Sequence, residues 1–126
     1  MNFAAESHVD NSIESPIEFV KTNALGTTNL LNGWRNYQES RFIQIGTDEV
    51  YGSVEKGSSY EEDQLKPSSA YSSSKASADL ISQSFKHTYG MDIVVTRCTN
   101  NFGPNQNTEK LIPKMIMNYI SGNDLE

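Results

Sequence analysis

The chain has 126 residues, 10 Lys+Arg against 16 Asp+Glu, a formal net charge of -6 and a single cysteine. That length fits one small domain at most, since single cores run to roughly 100–200 residues. A disulfide scaffold and a structural zinc site are excluded, because Cys98, His8 and His87 are the only Cys or His side chains and a structural zinc site takes about four ligands. No metal is expected. The acidic balance and the lack of a Lys/Arg stripe argue against a nucleic-acid partner as well.

The first residues, Met-Asn-Phe-Ala-Ala-Glu-Ser-His, carry neither a basic region nor an apolar stretch of signal-peptide type. No run approaches the roughly 18 apolar residues of a membrane span. A cytoplasmic protein that does not engage membranes is the expectation, and a reduced Cys98 in the apolar run from Ile93 agrees with it.

Ser15-Pro16-Ile17-Glu18 reads as a capping box with proline in the first helical position. Apolar or small residues at Ile17, Val20, Ala24, Thr27, Leu31 and Trp34 continue one helical stripe to about Glu39. Arg41-Phe42-Ile43-Gln44-Ile45-Gly46 predicts a strand, and Thr47-Asp48-Glu49-Val50-Tyr51-Gly52 falls where that strand ends. Residues 53–67, rich in Ser, Gly and acid, predict a solvated excursion. A second helix is expected from Ser68, with Ala78, Ile81 and Phe85 on one face and Gly90 as its stop.

Asp92-Ile93-Val94-Val95-Thr96-Arg97 predicts a second strand, continuously apolar in the manner of a parallel strand covered on both faces. The turn Asn100-Asn101-Phe102-Gly103-Pro104 precedes a third helix bearing Leu111, Ile112, Met115, Ile116 and Tyr119. Trp34 and the pair Met115 and Met117 read as packing. This alternation implies an α/β chain with a parallel sheet and crossover helices. Doubly wound sheets usually hold about five or more strands, so the two predicted here read as part of a larger domain.

Tyr71-Ser72-Ser73-Ser74-Lys75 places a phenol and an amine one helical turn apart on one face. An ammonium beside a phenol lowers its pKa toward the range useful to a general base. An ordinary exposed Tyr/Lys pair has the same spacing. Asp48 and Glu49 are adjacent carboxylates at the C-terminal end of a parallel strand, the edge where open α/β sheets bind ligands. One can stay ionised as a base while the other, raised by the like charge, stays protonated as an acid; a solvated acidic turn is the alternative. Asn100 and Asn101 occupy the equivalent edge of the next strand, and His8 is a further neighbour of any cofactor or substrate there.

These words, with Asn2-Phe3-Ala4-Ala5-Glu6-Ser7-His8-Val9-Asp10, Thr22-Asn23, Gly26-Thr27, Thr96-Arg97-Cys98-Thr99-Asn100-Asn101-Phe102-Gly103-Pro104 and Glu109-Lys110-Leu111-Ile112-Pro113, cover nearly the whole chain. In order and spacing they resemble the dTDP-glucose 4,6-dehydratase group of the extended short-chain dehydrogenase/reductase family. Gly46 stands where the family usually has Ser, and Thr99 replaces a common Ser. The resemblance implies NAD as cofactor and a nucleotide sugar as substrate. Tyr71, assisted by Lys75, would take the sugar O4 proton as hydride passes from C4 to NAD. Glu49 would then take the C5 proton, Asp48 would protonate the departing C6 hydroxyl, and hydride would return to C6. Thr47 would hydrogen-bond the sugar near C4. By the same resemblance Phe3, Ala4, Ala5, Glu6, Ser7, Thr22, Tyr71, Lys75 and Asn101 would line the NAD site, and Ser7, Thr47, Asn100, Lys110 and Leu111 would contact substrate. A homodimer through a helix bundle is implied for the full-length protein. Another extended member, such as a nucleotide-sugar epimerase or decarboxylase, would share Tyr71 and Lys75, and an inactive truncated copy is a further alternative.

The eight glycines lie at 26, 33, 46, 52, 57, 90, 103 and 122, with no G-x-x-G-x-x-G phosphate-binding fingerprint among them. The expected fold is therefore a partial Rossmann-like parallel sheet with crossover helices, lacking the N-terminal glycine-rich βαβ units. Residues 1–126 are read as a single incomplete NAD(P)-binding domain, its central to C-terminal half, with the substrate lid largely absent. An isolated polypeptide of these residues should show no micromolar affinity for NAD in isothermal titration; micromolar binding would overturn the view that the glycine loop is needed.

Overall fold

Two apolar runs pair side by side, and the helices are arranged by what those strands leave uncovered. In the computed structural model, which describes residues 1–37 and 39–124, β1 (Phe42–Thr47) and β2 (Ile93–Cys98) are parallel. Their register runs from Phe42 opposite Ile93 to Thr47 opposite Cys98, one residue later at each end than the patterning predicts. On the opposite edge of β1, Asn2 makes a single parallel bridge. Its amide donates to the Ile43 carbonyl at 2.8 Å and its carbonyl accepts from Ile45 at 3.2 Å. The buried Asn2 side chain donates to Gln44 Oε1 at 2.9 Å. Because the bridge is parallel, the segment after Asn2 leaves the sheet at the C-terminal ends of the strands.

The apolar core sits at the other end. Leu31, Phe42, Met91 and Ile93 form it, with Trp34, Ile81 and Phe85 packed against them. Phe42 and Ile93 are the first residues of their strands, so hydrophobic burial anchors the strand starts and leaves the strand ends to polar groups. The crossover between the strands is α4 (Ala70–Tyr89). Its N-terminus is a reciprocal capping box: Ser69 Oγ accepts from the Ser72 amide at 3.0 Å, and Ser72 Oγ accepts from the Ser69 amide at 2.9 Å. Gly90, left-handed at φ 65°, closes it as predicted.

The region predicted as one long helix is divided. It comprises α1 (Val9–Glu14), α2 (Pro16–Phe19), a π-helical turn over Val20–Leu25, and α3 (Gly26–Trp34). The predicted capping box at Ser15 is not formed, because Ser15 is already the residue that closes α1, its amide donating to the Asn11 carbonyl at 2.9 Å. Glu18 pairs with Lys21 instead, at 2.9 Å. Helix ends at Trp34 rather than near Glu39, and the part of that prediction falling on Gln38 lies outside the described residues.

The π turn also corrects the predicted stripe. It places one extra residue in a turn, which rotates the face by roughly 100°. Ile17 and Val20, expected inside, are exposed, while the buried line passes through Phe19 and Asn23 to Ala24, Thr27 and Leu31. In α5 (Leu111–Ser121) no residue is buried, and Met115 and Met117, read as packing, are exposed. The excursion over residues 53–67 is largely solvated, as predicted.

Leu31 is fully buried in the core, so Leu31→Ala should cost about 2–5 kcal/mol in urea unfolding. A loss under about 1 kcal/mol would place the core elsewhere.

Candidate active site

Where β1 ends, the chain turns once as a 3-10 helix over Asp48–Tyr51. Buried Thr47 starts the turn: its Oγ1 accepts from the Glu49 amide at 3.3 Å and lies 3.4 Å from Asp48 Oδ1, to which it can donate. The turn closes with the Gly52 amide donating to the Glu49 carbonyl at 3.1 Å. Gly52 has φ +79°, and a Cβ there would collide with the Lys66 carbonyl, so glycine is required on both counts. Burial pushes the Glu49 carboxyl above its usual 4.5, the Asp48 charge adds to the rise, and Lys110 opposes it. A carboxylate raised in this way is a stronger proton acceptor near neutral pH.

Tyr71 and Lys75 leave α4 on its buried face, 8% and 5% exposed. Tyr71 faces Thr47 across the gap between helix and turn. Burial raises the phenol pKa; the Thr47 hydroxyl lowers it, and Glu49, Cys98 and Asp48 raise it further. The lowering by Lys75 that the spacing suggests is not what this arrangement produces. Lys75 Nζ donates to the Ile45 carbonyl at 2.6 Å, and the groups that act on the phenol do not include it. Burial in turn lowers the Lys75 pKa, while Asp79 and then Cys98 hold it up.

Ser7 and Lys110, separated by most of the chain, meet beside this turn. Lys110 Nζ lies 3.4 Å from both the carbonyl and Oγ of Ser7, and its charge reaches Glu49. The structure thus brings together Thr47, Asp48, Glu49, Tyr71, Ser7 and Lys110. Phe3, Ala4, Glu6, Asn100, Asn101 and Leu111 are exposed, and Ala5 and Thr22 are half-buried. Asn101 Nδ2 donates to the Thr99 carbonyl at 3.1 Å and to Cys98 Sγ at 3.4 Å. His8 is half-buried, with Nδ1 lacking a partner.

Sequence reasoning missed three polar residues that hold these groups. Asn23, 2% exposed within the π turn, clamps the Phe3–Ser7 segment. Its Oδ1 accepts from the Glu6 amide at 2.9 Å, and its Nδ2 donates to the Glu6 carbonyl at 3.0 Å and to Ser74 Oγ at 2.9 Å. Asp79, fully buried, and Arg97, 12% exposed at its side chain, form an ion pair at 2.9 Å. Burial outweighs the guanidinium at Asp79 and holds its carboxyl above the usual range. The available signal was spacing: Asp79 lies one turn beyond Lys75 on the face that carries Tyr71. Arg97 sits in an apolar strand, where a charge needs a buried partner.

A Rossmann-type α/β unit with ionisable side chains gathered at its strand ends is the class that this geometry defines. The chain belongs to the GDP-mannose 4,6 dehydratase family, whose model matches residues 1–125. It is 50% identical over 122 residues to a dTDP-glucose 4,6-dehydratase of Streptomyces antibioticus, covering 97% of this chain and 36% of that protein. Among solved structures it superposes with TM-score 0.95 and 46% identity on the dTDP-glucose 4,6-dehydratase DesIV of Streptomyces venezuelae, solved with NAD bound, over 98% of this chain and 38% of that one. A UDP-glucuronic acid 4-epimerase of Bacillus cereus matches with TM-score 0.95 at 25% identity, over 99% of this chain and 40% of that one. The chain therefore spans under half the length of these relatives.

The raised carboxyl of Glu49 has a stability consequence. A group that binds its proton more tightly when folded contributes stability that is complete below its unfolded pKa and is lost as pH rises through its folded one. Glu49→Gln should thus raise the thermal midpoint near pH 7 and leave it little changed near pH 4. A lowered midpoint at neutral pH would contradict the burial described.

Proposed function

We propose that this chain carries the proton-transfer residues of an NAD-dependent nucleoside-diphosphate-glucose 4,6-dehydratase, with dTDP-glucose as substrate and the 4-keto-6-deoxy sugar as product. The observation that carries the reading is the meeting of two chemistries at Thr47, which hydrogen-bonds within the Asp48–Glu49 turn and faces the buried Tyr71 phenol. The likeness to dTDP-glucose 4,6-dehydratases supports the choice of reaction and sugar nucleotide.

The Phe3–Ser7 segment fits NAD: it leaves the sheet at the strand ends and is held by Asn23 against the α4 face that bears Tyr71 and Lys75. Phe3, Ala4, Ala5, Glu6, Ser7, Thr22, Tyr71, Lys75 and Asn101 would hold it. When bound, NAD supplies a hydride acceptor at C4, a hydride donor at C6 and a ring cation that favours phenolate.

Tyr71 takes the O4 proton, and the Thr47 hydroxyl steadies the developing oxyanion. The ketone formed at C4 acidifies the C5 proton. Glu49, whose carboxyl burial and the Asp48 charge raise above its usual range, removes that proton. Asp48 delivers a proton to the C6 oxygen, which departs as water, and Glu49 would return its proton to C5 as C6 is reduced. Ser7, Asn100, Lys110 and Leu111 contact the substrate, and Lys110 is suited to a phosphate oxygen by its charge. Residues 1–126 form one incomplete Rossmann-like domain of the cytoplasmic enzyme. Among the described residues no helix is long and apolar enough to cross a membrane. Exposed Ile13, Ile17, Leu30 and Leu80 support pairing of the full-length protein as a homodimer.

An epimerase needs Tyr71 and Lys75 but no pair to expel water. In the complete natural protein carrying this sequence, Asp48→Asn and Glu49→Gln should each reduce formation of the 4-keto-6-deoxy sugar about 10²–10⁴-fold, read by mass spectrometry of the product. Undiminished product in both variants would sink the dehydratase reading.

A further inference from the structure

We infer that Arg97 is a positioning residue, one that fixes the Asp48–Tyr51 turn at its far end and so sets where Glu49 stands relative to Tyr71. The inference rests on the dehydratase reading above. The near end of the turn is set by buried Thr47, whose Oγ1 accepts from the Glu49 amide at 3.3 Å and which faces Tyr71 on α4. The middle is held by buried Val50, whose carbonyl accepts from the Lys66 amide at 2.9 Å. Arg97 adds the hold at the far end, on the side chain of Tyr51.

From β2 the guanidinium reaches three other parts of the chain. Its Nε donates to Asp79 Oδ2 on α4 at 2.9 Å, and its Nη1 donates to the Tyr51 hydroxyl at 2.6 Å and to the Glu61 carbonyl at 3.0 Å. The guanidinium carbon also lies 5.1 Å from the centre of the Tyr51 ring. Tyr51 is the last residue of the turn, so the chain of contacts runs from Glu49 through Tyr51 and Arg97 to the helix that carries Tyr71. A planar fork with several fixed donors suits this task; a lysine could satisfy Asp79 but could not span to Tyr51 and Glu61 together. The ion pair keeps the strut stiff, because Asp79 is fully buried and Arg97 nearly so. Burial works against the Arg97 charge, yet its bonds to Asp79 and Tyr51 hold its pKa above the usual value, so it stays cationic throughout the working pH range.

Removing Arg97 outright would strand the Asp79 carboxylate and could unfold the protein. Tyr51→Phe is the cleaner variant, since it deletes one hydroxyl and leaves both the ion pair and the ring. In the complete natural protein, amide hydrogen exchange should quicken at Gly52, whose amide closes the turn on Glu49, and stay unchanged along α4. In single turnover, oxidation at C4 should hold within about twofold while water loss slows about tenfold, the scale of a small misplacement of a reacting group. Reduced cofactor should therefore build up before product. Arg97→Lys should show the same selective slowing, and the double variant should be no worse than either single one. Unchanged exchange at Gly52, or equal slowing of both steps, would overturn the inference. If the unaltered protein fails to oxidise C4 at all, the dehydratase reading fails alone, and the exchange measurement still decides the role of Arg97.

Discussion

Parallel pairing in one fixed register separates this molecule into an apolar end and a polar end. Phe42 lies opposite Ile93 where the strands begin, and Thr47 lies opposite Cys98 where they stop. A slip of one residue would exchange the faces of every side chain on a strand. With the register held, Leu31 and Met91 close over the strand starts, and the groups able to move protons gather at the opposite ends. The arrangement requires buried polar groups, each of which needs a partner. Asn23 finds Glu6 and Ser74, Lys75 finds the Ile45 carbonyl, and Asp79 finds Arg97.

Helix α4 is the element on which these partnerships converge. Its buried face presents Tyr71, Lys75 and Asp79 at successive turns, toward the Asp48–Tyr51 turn, β1 and β2 respectively. A helix holds side chains at fixed spacing more firmly than a loop does, which suits groups that must act within a fraction of an ångström. Desolvation acts on this face in opposite senses, raising the phenol and lowering the amine. The neighbours Thr47 and Asp79 each oppose that drift, so burial sets the direction of both shifts and these two residues temper it.

The strands, the α4 boundaries and the polar strand ends were legible in the sequence because each has a local cause. β-branched runs make the strands, a serine and a glycine bracket α4, and acids and amides follow directly on the strands. The first helical region was misread for an equally physical reason. A stripe written at 3.6-residue spacing assumes an unbroken helix, and the π turn over Val20–Leu25 shifts its phase. That shift turns Asn23 inward, a residue that propensity alone would leave outside. Arg97 was legible as a word in a motif, but its grip on Tyr51 and Glu61 depends on chain segments 46 and 36 residues away. Only the folded arrangement brings them within reach.

The bond from the Lys66 amide to the Val50 carbonyl, at 2.9 Å, ties the two ends of the solvated excursion together beside Gly52. A stretch whose ends are already joined can lengthen at small entropic cost, roughly 0.6 kcal/mol per doubling. Between those ends, Arg97 holds the excursion through a main-chain oxygen rather than a side chain. Its amino acids can therefore be exchanged without disturbing that hold. Evolution and protein engineering alike have here a segment whose side chains are open to rewriting, beside the Asp48–Tyr51 turn that its main chain helps to hold.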